Sequence, residues 1–410
     1  MEMQNDHKYI SIPAALRAAA EAAAEGPETV WLVILSGYLL ANMLELVHWV
    51  YPWDGYARLA AQSLNMVNVW LISLYPVWLL LTRFRTWQAF LASGLILALN
   101  AFLAPRTSFS QAAFLTPLFL LPASIGKHGG KIRGCFLWVT LGILAAGICG
   151  QLPGISSERS KFEKYGTGLS LGMLHPNTLA RLVMLVLLLI WYRYLRKRPR
   201  LTLALFWTGA LFAFAVCQCR TVTLILLAFP VPAWIAERRT EGRSRVTGRK
   251  WWQVLMTAMP FLCLALTLLL ASQPELLQKT KGSVFYNMIS RFVQAAVALR
   301  HYGFPLLGVP VDTMGGVSMR LAGTREYLRI LDNAYVVVLL QEGALYTAAL
   351  LGWLCFVNRR CLQRRDYRML LIANMMLVFA LMEKAGLTAF YNFAMFTPLA
   401  KEGLTDDHLL

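Results

Sequence analysis

The sequence predicts an all-α fold, a polytopic transmembrane bundle of 11 or 12 helices with a large outward-facing loop that contains an amphipathic helix. Three observations predict it. The 410 residues are 58% hydrophobic and 15% charged, whereas a soluble domain is roughly half apolar and a quarter charged. Apolar runs long enough to cross a bilayer recur along almost the whole chain. Basic residues concentrate in alternate connections between these runs.

The apolar runs define the spans in order. About 20 apolar residues cross the hydrocarbon core, and a backbone without water is helical there. The predicted spans lie near 29–50, 62–82, 87–104, 111–126, 134–152, 176–195, 201–219, 221–236, 251–271, 333–357 and 367–383, with a weaker candidate at 387–400. The chain thus divides into an N-terminal segment (1–28), nine spans (29–271), a large loop (272–332), C-terminal spans (333–400) and a tail (401–410).

The formal net charge of +18 comes mostly from five short basic connections. They hold Arg83 and Arg85; Lys127, Lys131 and Arg133; Arg193, Arg196, Lys197, Arg198 and Arg200; Arg238, Arg239, Arg243, Arg245, Arg249 and Lys250; and Arg359, Arg360, Arg364, Arg365 and Arg368. The positive-inside rule places them and the N-terminus in the cytoplasm, so that the other connections face outward. Topology and anionic headgroups account for the basic balance without a nucleic-acid partner.

The outward loop 272–332 carries seven basic against four acidic residues. Basic residues on the outer face run against the topology bias, so we expect an anionic ligand there. Within the loop, 287–301 predicts an amphipathic helix that Gly303 and Pro305 end. One polar stripe of this helix consists of Asn287, Arg291, Gln294 and His301. The helix either lies on the membrane surface with a solvated polar face, or forms a lid or wall over an outward-facing cavity.

Polar residues gather at the start of the sixth predicted span. Pro176 fits the first helical position, which places His175 just outside the helix. Asn177 and Arg181 are four residues apart and share a face. A helix N-terminus favours an anion through its exposed N–H groups and its dipole, so the stretch predicts an anion pocket. The alternative is that Arg181 snorkels outward or pairs with another helix, for example with Glu45.

Further polar residues are predicted at the outward ends of other spans: Arg220, Asp332, Asn333, Tyr335, Glu383 and Lys384. Asp332 or Asn333 also fits a helix N-cap, and Glu383 and Lys384 also fit a local ion pair. Glu342 and Gly343 are predicted inside the helix that begins near 333. Neither a C-x-x-C nor an H-E-x-x-H pattern occurs, so we expect no metal and no cofactor.

Four segments occur in a characteristic order over residues 170–345. They are "LGMLHPNTLA", "CRT" at the head of a span, "SRFVQAAVAL" followed by "FPLLGVP", and "LDNAYVVVLLQEG". This set resembles the polysaccharide polymerase and O-antigen ligase superfamily, the Wzy-type polytopic membrane glycosyltransferases. One triplet departs from the family, whose "SRT"-like motif reads Cys219-Arg220-Thr221 here and so keeps the arginine without the serine.

The resemblance implies an enzyme of the bacterial cytoplasmic membrane with its active site outward. Such enzymes join polyprenyl-diphosphate-linked oligosaccharides on the outer leaflet, for capsule, exopolysaccharide or O-antigen, alongside a flippase and a chain-length regulator. The acceptor hydroxyl attacks the anomeric carbon of the donor, and undecaprenyl diphosphate leaves. Fixed positive charge stabilises this leaving group, so that no divalent metal is required.

The candidate residues follow from this chemistry. Arg181, Arg220 and Arg291 are expected to stabilise the diphosphate, with the helix N-terminus at Pro176 assisting. The general base stays open among His175, His301, Asp332 and Glu383, with a histidine favoured. The substrate-binding candidates are Asn177, Arg300, Arg325, Asp332, Asn333, Tyr335 and Glu383.

Three other functions compete with this one. A flippase for the same lipid-linked sugar also needs outward arginines, but inverted repeats and discontinuous spans typify transporters and neither is visible in the sequence. A ligase that moves the finished glycan to a different acceptor activates the same donor. A non-catalytic membrane component of the assembly complex has no need of an arginine inside a span.

Overall fold

The computed structural model describes residues 32–33, 35–44, 46–47, 129–150, 168–194, 198–240, 250–275, 286–311, 318–321, 324–328 and 331–399. Three predicted spans, at 62–82, 87–104 and 111–126, lie outside the described residues, as do the N-terminal segment and the tail.

The described residues form a helical fold with one small hairpin. In chain order the helices are α1 (Leu35–Leu44), α2 (Gly129–Cys149), α3 (Pro176–Tyr194), α4 (Pro199–Ala215), α5 (Arg220–Ala228), α6 (Pro230–Thr240), α7 (Lys250–Ala271), α8 (Tyr286–Tyr302), α9 (Ala334–Gln341), α10 (Ala344–Gln363) and α11 (Tyr367–Ala380). Between α8 and α9, strand β1 (Ser318–Leu321) pairs antiparallel with β2 (Thr324–Tyr327). Two 3₁₀ helices follow α11, at Lys384–Leu387 and Phe393–Leu399.

Within the described residues, four helical stretches are long and apolar enough to cross a membrane. They are Gly130–Cys149, Pro176–Tyr194, Arg220–Glu237, which runs from α5 into α6, and Lys250–Ala271. Only 22% of the most apolar part of Lys250–Ala271 is buried inside the protein. The side of this helix that faces away from the other helices exposes Trp251, Phe261 and Leu269. Exposing such an apolar face to water is unfavourable, whereas contact with lipid acyl chains is favourable. The chain therefore has the make-up of a helical membrane protein.

The prediction of a single helix over 333–357 is wrong, because the chain breaks between α9 and α10. Gly343 lies in the left-handed region at φ 91°, a conformation that favours glycine. Residues 305–309, which we call the strap, close on the break: Val309 N–H donates to the Leu340 carbonyl at 2.8 Å. Ala344 N–H donates to a carbonyl of the strap at 2.9 Å. Glu342 and Gly343 therefore link two helices.

The weaker candidate span at 387–400 is also wrong as a membrane-crossing helix. Its side chains bond to nearby carbonyls in place of the helical ladder: Asn392 Nδ2 donates to the Gly386 carbonyl at 3.0 Å. The segment turns back into the bundle, where Trp353 Nε1 of α10 donates to the Met395 carbonyl at 3.2 Å.

Polar contacts lie at both ends of the bundle. Helices α3, α5 and α9 begin, and α11 ends, at the end that the charge pattern predicts to face outward; we call it the outer end. At the opposite end, Arg368 donates to both carboxylate oxygens of Glu237, at 2.6 and 2.5 Å. Tyr192 Oη donates to Asp366 there at 2.7 Å. These opposite-end contacts tie α11 to α6 and to α3.

Candidate functional site

The turn that precedes α3 fixes the orientation of His175. The helix begins at Pro176, as predicted, and the N–H of Asn177 donates to His175 Nδ1 at 3.0 Å. Because Nδ1 accepts this bond, the neutral ring carries its proton on Nε2. The predicted role of His175 as general base does not fit this tautomer, because Nδ1 already accepts a proton donor and Nε2 is protonated.

Arg181 is held in place by its own helix and by the chain after α11. Its Nε donates to the Asn177 carbonyl at 3.1 Å and its Nη2 to Thr178 Oγ1 at 3.0 Å. Its Nη1 lies 3.7 Å from a Glu383 oxygen, and its guanidinium lies 5.4 Å from the ring centroid of Tyr391. With 13% of its side chain exposed, Arg181 takes up the pairing alternative rather than snorkelling.

Among the described residues, the carboxylate that pairs with Arg181 comes from the segment after α11. Glu45 lies outside the described residues, and Glu383, whose side chain is 6% exposed, provides the carboxylate. Lys384 is close enough to take part. Desolvation and the Arg181 guanidinium lower the pKa of its ammonium group, and Glu383 acts in the opposite direction. Glu383 thus stands between two cations instead of forming only a local pair with Lys384.

Helix α8 brings a second arginine to the same place. Arg291 forms an ion pair with Asp332, the residue two positions before α9, and keeps 26% of its side chain exposed. The residues that follow it on α8 are mostly buried, from Phe292 to Leu299. Because α8 packs against α7 and α9, the structure favours the interpretation of α8 as a wall of a cavity, and disfavours a helix that lies on the membrane surface.

His175, Arg181 and Arg291 form one cluster. Burial lowers the pKa of His175 from its ordinary value of 6.5, and the guanidinium groups of Arg181 and Arg291 lower it further. Cys219, the N-cap of α5, interacts electrostatically with both arginines and with Glu383. The N-terminal ends of α3 and α5 and the middle of α8 therefore meet at the outer end; we call this group the basic cluster.

The lowered pKa of His175 predicts the pH dependence of stability. Below pH 6.5 the unfolded chain binds a proton at His175 more readily than the folded chain does. We therefore expect the contribution of His175 to be complete above pH 7, roughly, and to be lost as the pH falls from 6.5 towards the lower pKa of the folded state. Thermal unfolding of the purified protein between about pH 5 and 8 measures it, and His175→Asn should flatten this part of the curve. An unchanged slope in that variant would contradict the assignment.

Asn333 and Tyr335 are positioned for packing rather than for substrate contact. Both are fully buried. Asn333 caps α9 by accepting from Val336 N–H at 3.2 Å, the alternative that its position allowed, and its Nδ2 donates to the Leu381 carbonyl at 2.8 Å. Tyr335 Oη donates to the Leu377 carbonyl at 2.9 Å. These bonds hold α9 against α11 beneath the basic cluster.

Two predicted residues do not join the cluster. Arg300 and His301 are exposed in the last turn of α8, and His301 lies about 15 Å along the helix from Arg291 at 1.5 Å per residue. Arg325 lies in β2, in register with Arg320 of β1. Neither histidine therefore remains a good general base: His175 accepts a backbone N–H at Nδ1 and carries its proton on Nε2, and His301 is remote.

Arg220 lies beside the basic cluster with its side chain exposed. It is the first residue of α5 and follows the buried Cys219. Across the residues that the structure describes, it forms no ion pair. Sequence reasoning missed Thr178 and Tyr391 as partners of Arg181. Thr178 was detectable as the residue one helical turn before Arg181, whereas nothing local in the sequence points to Tyr391.

The described parts of the chain hold no group of three or more His, Cys, Asp or Glu side chains arranged to bind a metal ion. Compared with known proteins, the chain matches no family model, no curated protein and no solved structure. The functional conclusion therefore depends on the residues of this chain.

Proposed function

We propose that this chain is a membrane polysaccharide polymerase that joins polyprenyl-diphosphate-linked oligosaccharide repeat units. The observation that carries the proposal is the basic cluster, in which two largely buried arginines converge with His175 at the N-terminus of α3. Fixed guanidinium groups and helix N–H groups suit a diphosphate, which carries concentrated negative charge. The cluster lies at the outer end, which accords with synthesis of capsule, exopolysaccharide or O-antigen outside a bacterial cytoplasmic membrane.

The proposed reaction is a displacement at the anomeric carbon of the donor. An acceptor hydroxyl forms the new C–O bond, the bond to the phosphate oxygen breaks, and undecaprenyl diphosphate leaves with the electron pair. Arg181 and Arg291 each face one carboxylate, and a guanidinium has five N–H donors, so donors remain for phosphate oxygens. These groups stabilise the charge that develops on the leaving group.

The hydroxyl proton needs an acceptor, and two carboxylates remain for this role. Glu383 is 6% exposed and faces Arg181, whereas Asp332 is 15% exposed and faces Arg291. We propose Asp332, because its carboxylate is the more accessible to an acceptor sugar.

Purified protein incubated with a lipid-diphosphate-linked repeat unit tests the proposal. The expected product is a ladder of chain lengths, because each product chain can serve as the next donor. Transfer only to a second added acceptor would identify a ligase of the same superfamily. Substrate that remains unchanged with several repeat units of different composition would contradict both.

The break between α9 and α10 favours one second candidate, a transporter of the same lipid-linked sugar. Discontinuous helices at membrane depth are common in transporters, and the break was not visible in the sequence. Proteoliposomes with a fluorescent lipid-linked sugar separate the two functions. A polymerase lengthens the sugar and leaves its sidedness unchanged, whereas a transporter exposes the inner pool to an external quencher without lengthening it.

A further inference from the structure

A second polar site lies at the break between α9 and α10. Glu342 is 1% exposed, and within the described part of the protein neither carboxylate oxygen has a hydrogen-bond partner. The hydroxyl of Tyr346, one turn further on and 3% exposed, is in the same situation. An ionised carboxylate is not stable when it is buried without a partner. The site therefore requires something that these two side chains do not supply to each other.

The surroundings of Glu342 are rich in oxygen and poor in positive charge. Tyr346 interacts electrostatically with Glu342 and with Tyr38 of α1, but no hydrogen bond joins Glu342 to Tyr346. The carbonyl end of α9, where the helix dipole is negative, points to the same place. In the residues that the structure describes, no charged side chain interacts with Glu342. An ionised Glu342 at this place would therefore need a small, positively charged partner.

We propose that the helix break binds a monovalent cation of the sodium type, with the Glu342 carboxylate and the Tyr346 hydroxyl as its side-chain ligands. Hard cations take oxygen ligands, and one positive charge balances one carboxylate. The site lies about 13 Å along α9 from Asn333, at 1.5 Å per residue, and so is separate from the basic cluster. Its occupation would hold α9, the strap and α10 together, whatever reaction the cluster performs.

Thermal unfolding of the purified protein in detergent at pH 8 tests the site. We expect sodium chloride to raise the unfolding temperature by about 2–4 °C or more over choline chloride at equal ionic strength, and the rise to saturate. Glu342→Gln should remove the response to sodium, because the amide carries no charge. Glu237→Gln, which removes a carboxylate at the opposite end, is the matched control and should keep the response to sodium.

Tyr346→Phe provides a second variant if Glu342→Gln does not fold. Losing one neutral ligand should raise the sodium concentration of half-maximal stabilisation about tenfold. This is the change in affinity expected when one contact of the strength of a hydrogen bond is lost. Equal unfolding temperatures in sodium, potassium and choline chloride would overturn the proposal. So would an unfolding temperature that depends on pH and not on the cation, with Glu342→Gln removing that dependence, because the carboxyl would then carry a proton.

Discussion

Arg181→Ala should lower polymer formation at least 100-fold, roughly the effect of removing one donor that stabilises charge in a transition state. The reason is geometric: α3 holds the guanidinium on one side and Glu383 holds it on the other, which fixes its donors in the basic cluster. Chain length and yield of the polymer measure the effect. Arg193→Ala is the matched control on the same helix, since Arg193 lies in its last turn at the opposite end, and it should retain activity.

Removing Arg181 alone leaves the buried Glu383 carboxylate with Lys384 but without its guanidinium partner, which destabilises the protein by up to about 3–5 kcal/mol, the cost of breaking a buried pair. The double variant Arg181→Ala/Glu383→Gln removes this charge. We expect it to recover the unfolding temperature and the membrane yield of the wild type but not the activity. A normal polymer ladder from the double variant would contradict the role of Arg181 in binding the diphosphate.

Gly343→Ala should destabilise the protein by about 2–5 kcal/mol, the sum of a left-handed conformation and an overpacked contact. A Cβ at this position would lie 2.3 Å from the Gly308 backbone nitrogen and 2.4 Å from the Leu306 carbonyl oxygen. Both atoms belong to the strap, so the new methyl group would push the strap away from the helix break. Thermal or denaturant unfolding in detergent measures the loss.

Gly352→Ala is the matched control for this prediction. Gly352 lies inside α10, and a Cβ there would meet nothing within 4 Å. Because alanine has the higher helix propensity, this change should leave stability unchanged or raise it by up to about 1 kcal/mol. Equal unfolding temperatures for the two variants would show that the strap does not close on the break.

Several elements were predictable because their signals are local. The predicted spans 176–195 and 251–271 correspond to α3 and α7, since apolar length and flanking polar residues mark both. The predicted helix 287–301 corresponds to α8, whose amphipathic stripe and terminal glycine are equally local. His175, Asn177 and Arg181 were recognisable as a group for the same reason, because they lie within two turns of one another.

The interactions that shape the candidate site connect residues far apart in the chain. Glu383 reaches Arg181 from the segment after α11, and Tyr391 reaches it from a stretch whose apolar composition suggested a span. The strap contacts the helix break at Gly343, although the hairpin and α9 lie between these two segments in the chain. Such pairings depend on how the helices pack, and hydrophobic periodicity carries no information about them.

The sequence by itself determined a helical membrane protein, the positions of its strongest helices and the gathering of polar residues at the start of α3. The length of an apolar run and the residues that end a helix act within a few turns, so the sequence alone is sufficient to predict these features. Only the tertiary structure decided that Arg181 pairs with Glu383, that His175 accepts a backbone N–H at Nδ1 and that α9 and α10 are separate helices. A buried polar group takes the partner that packing brings to it, and that partner lies in another part of the chain.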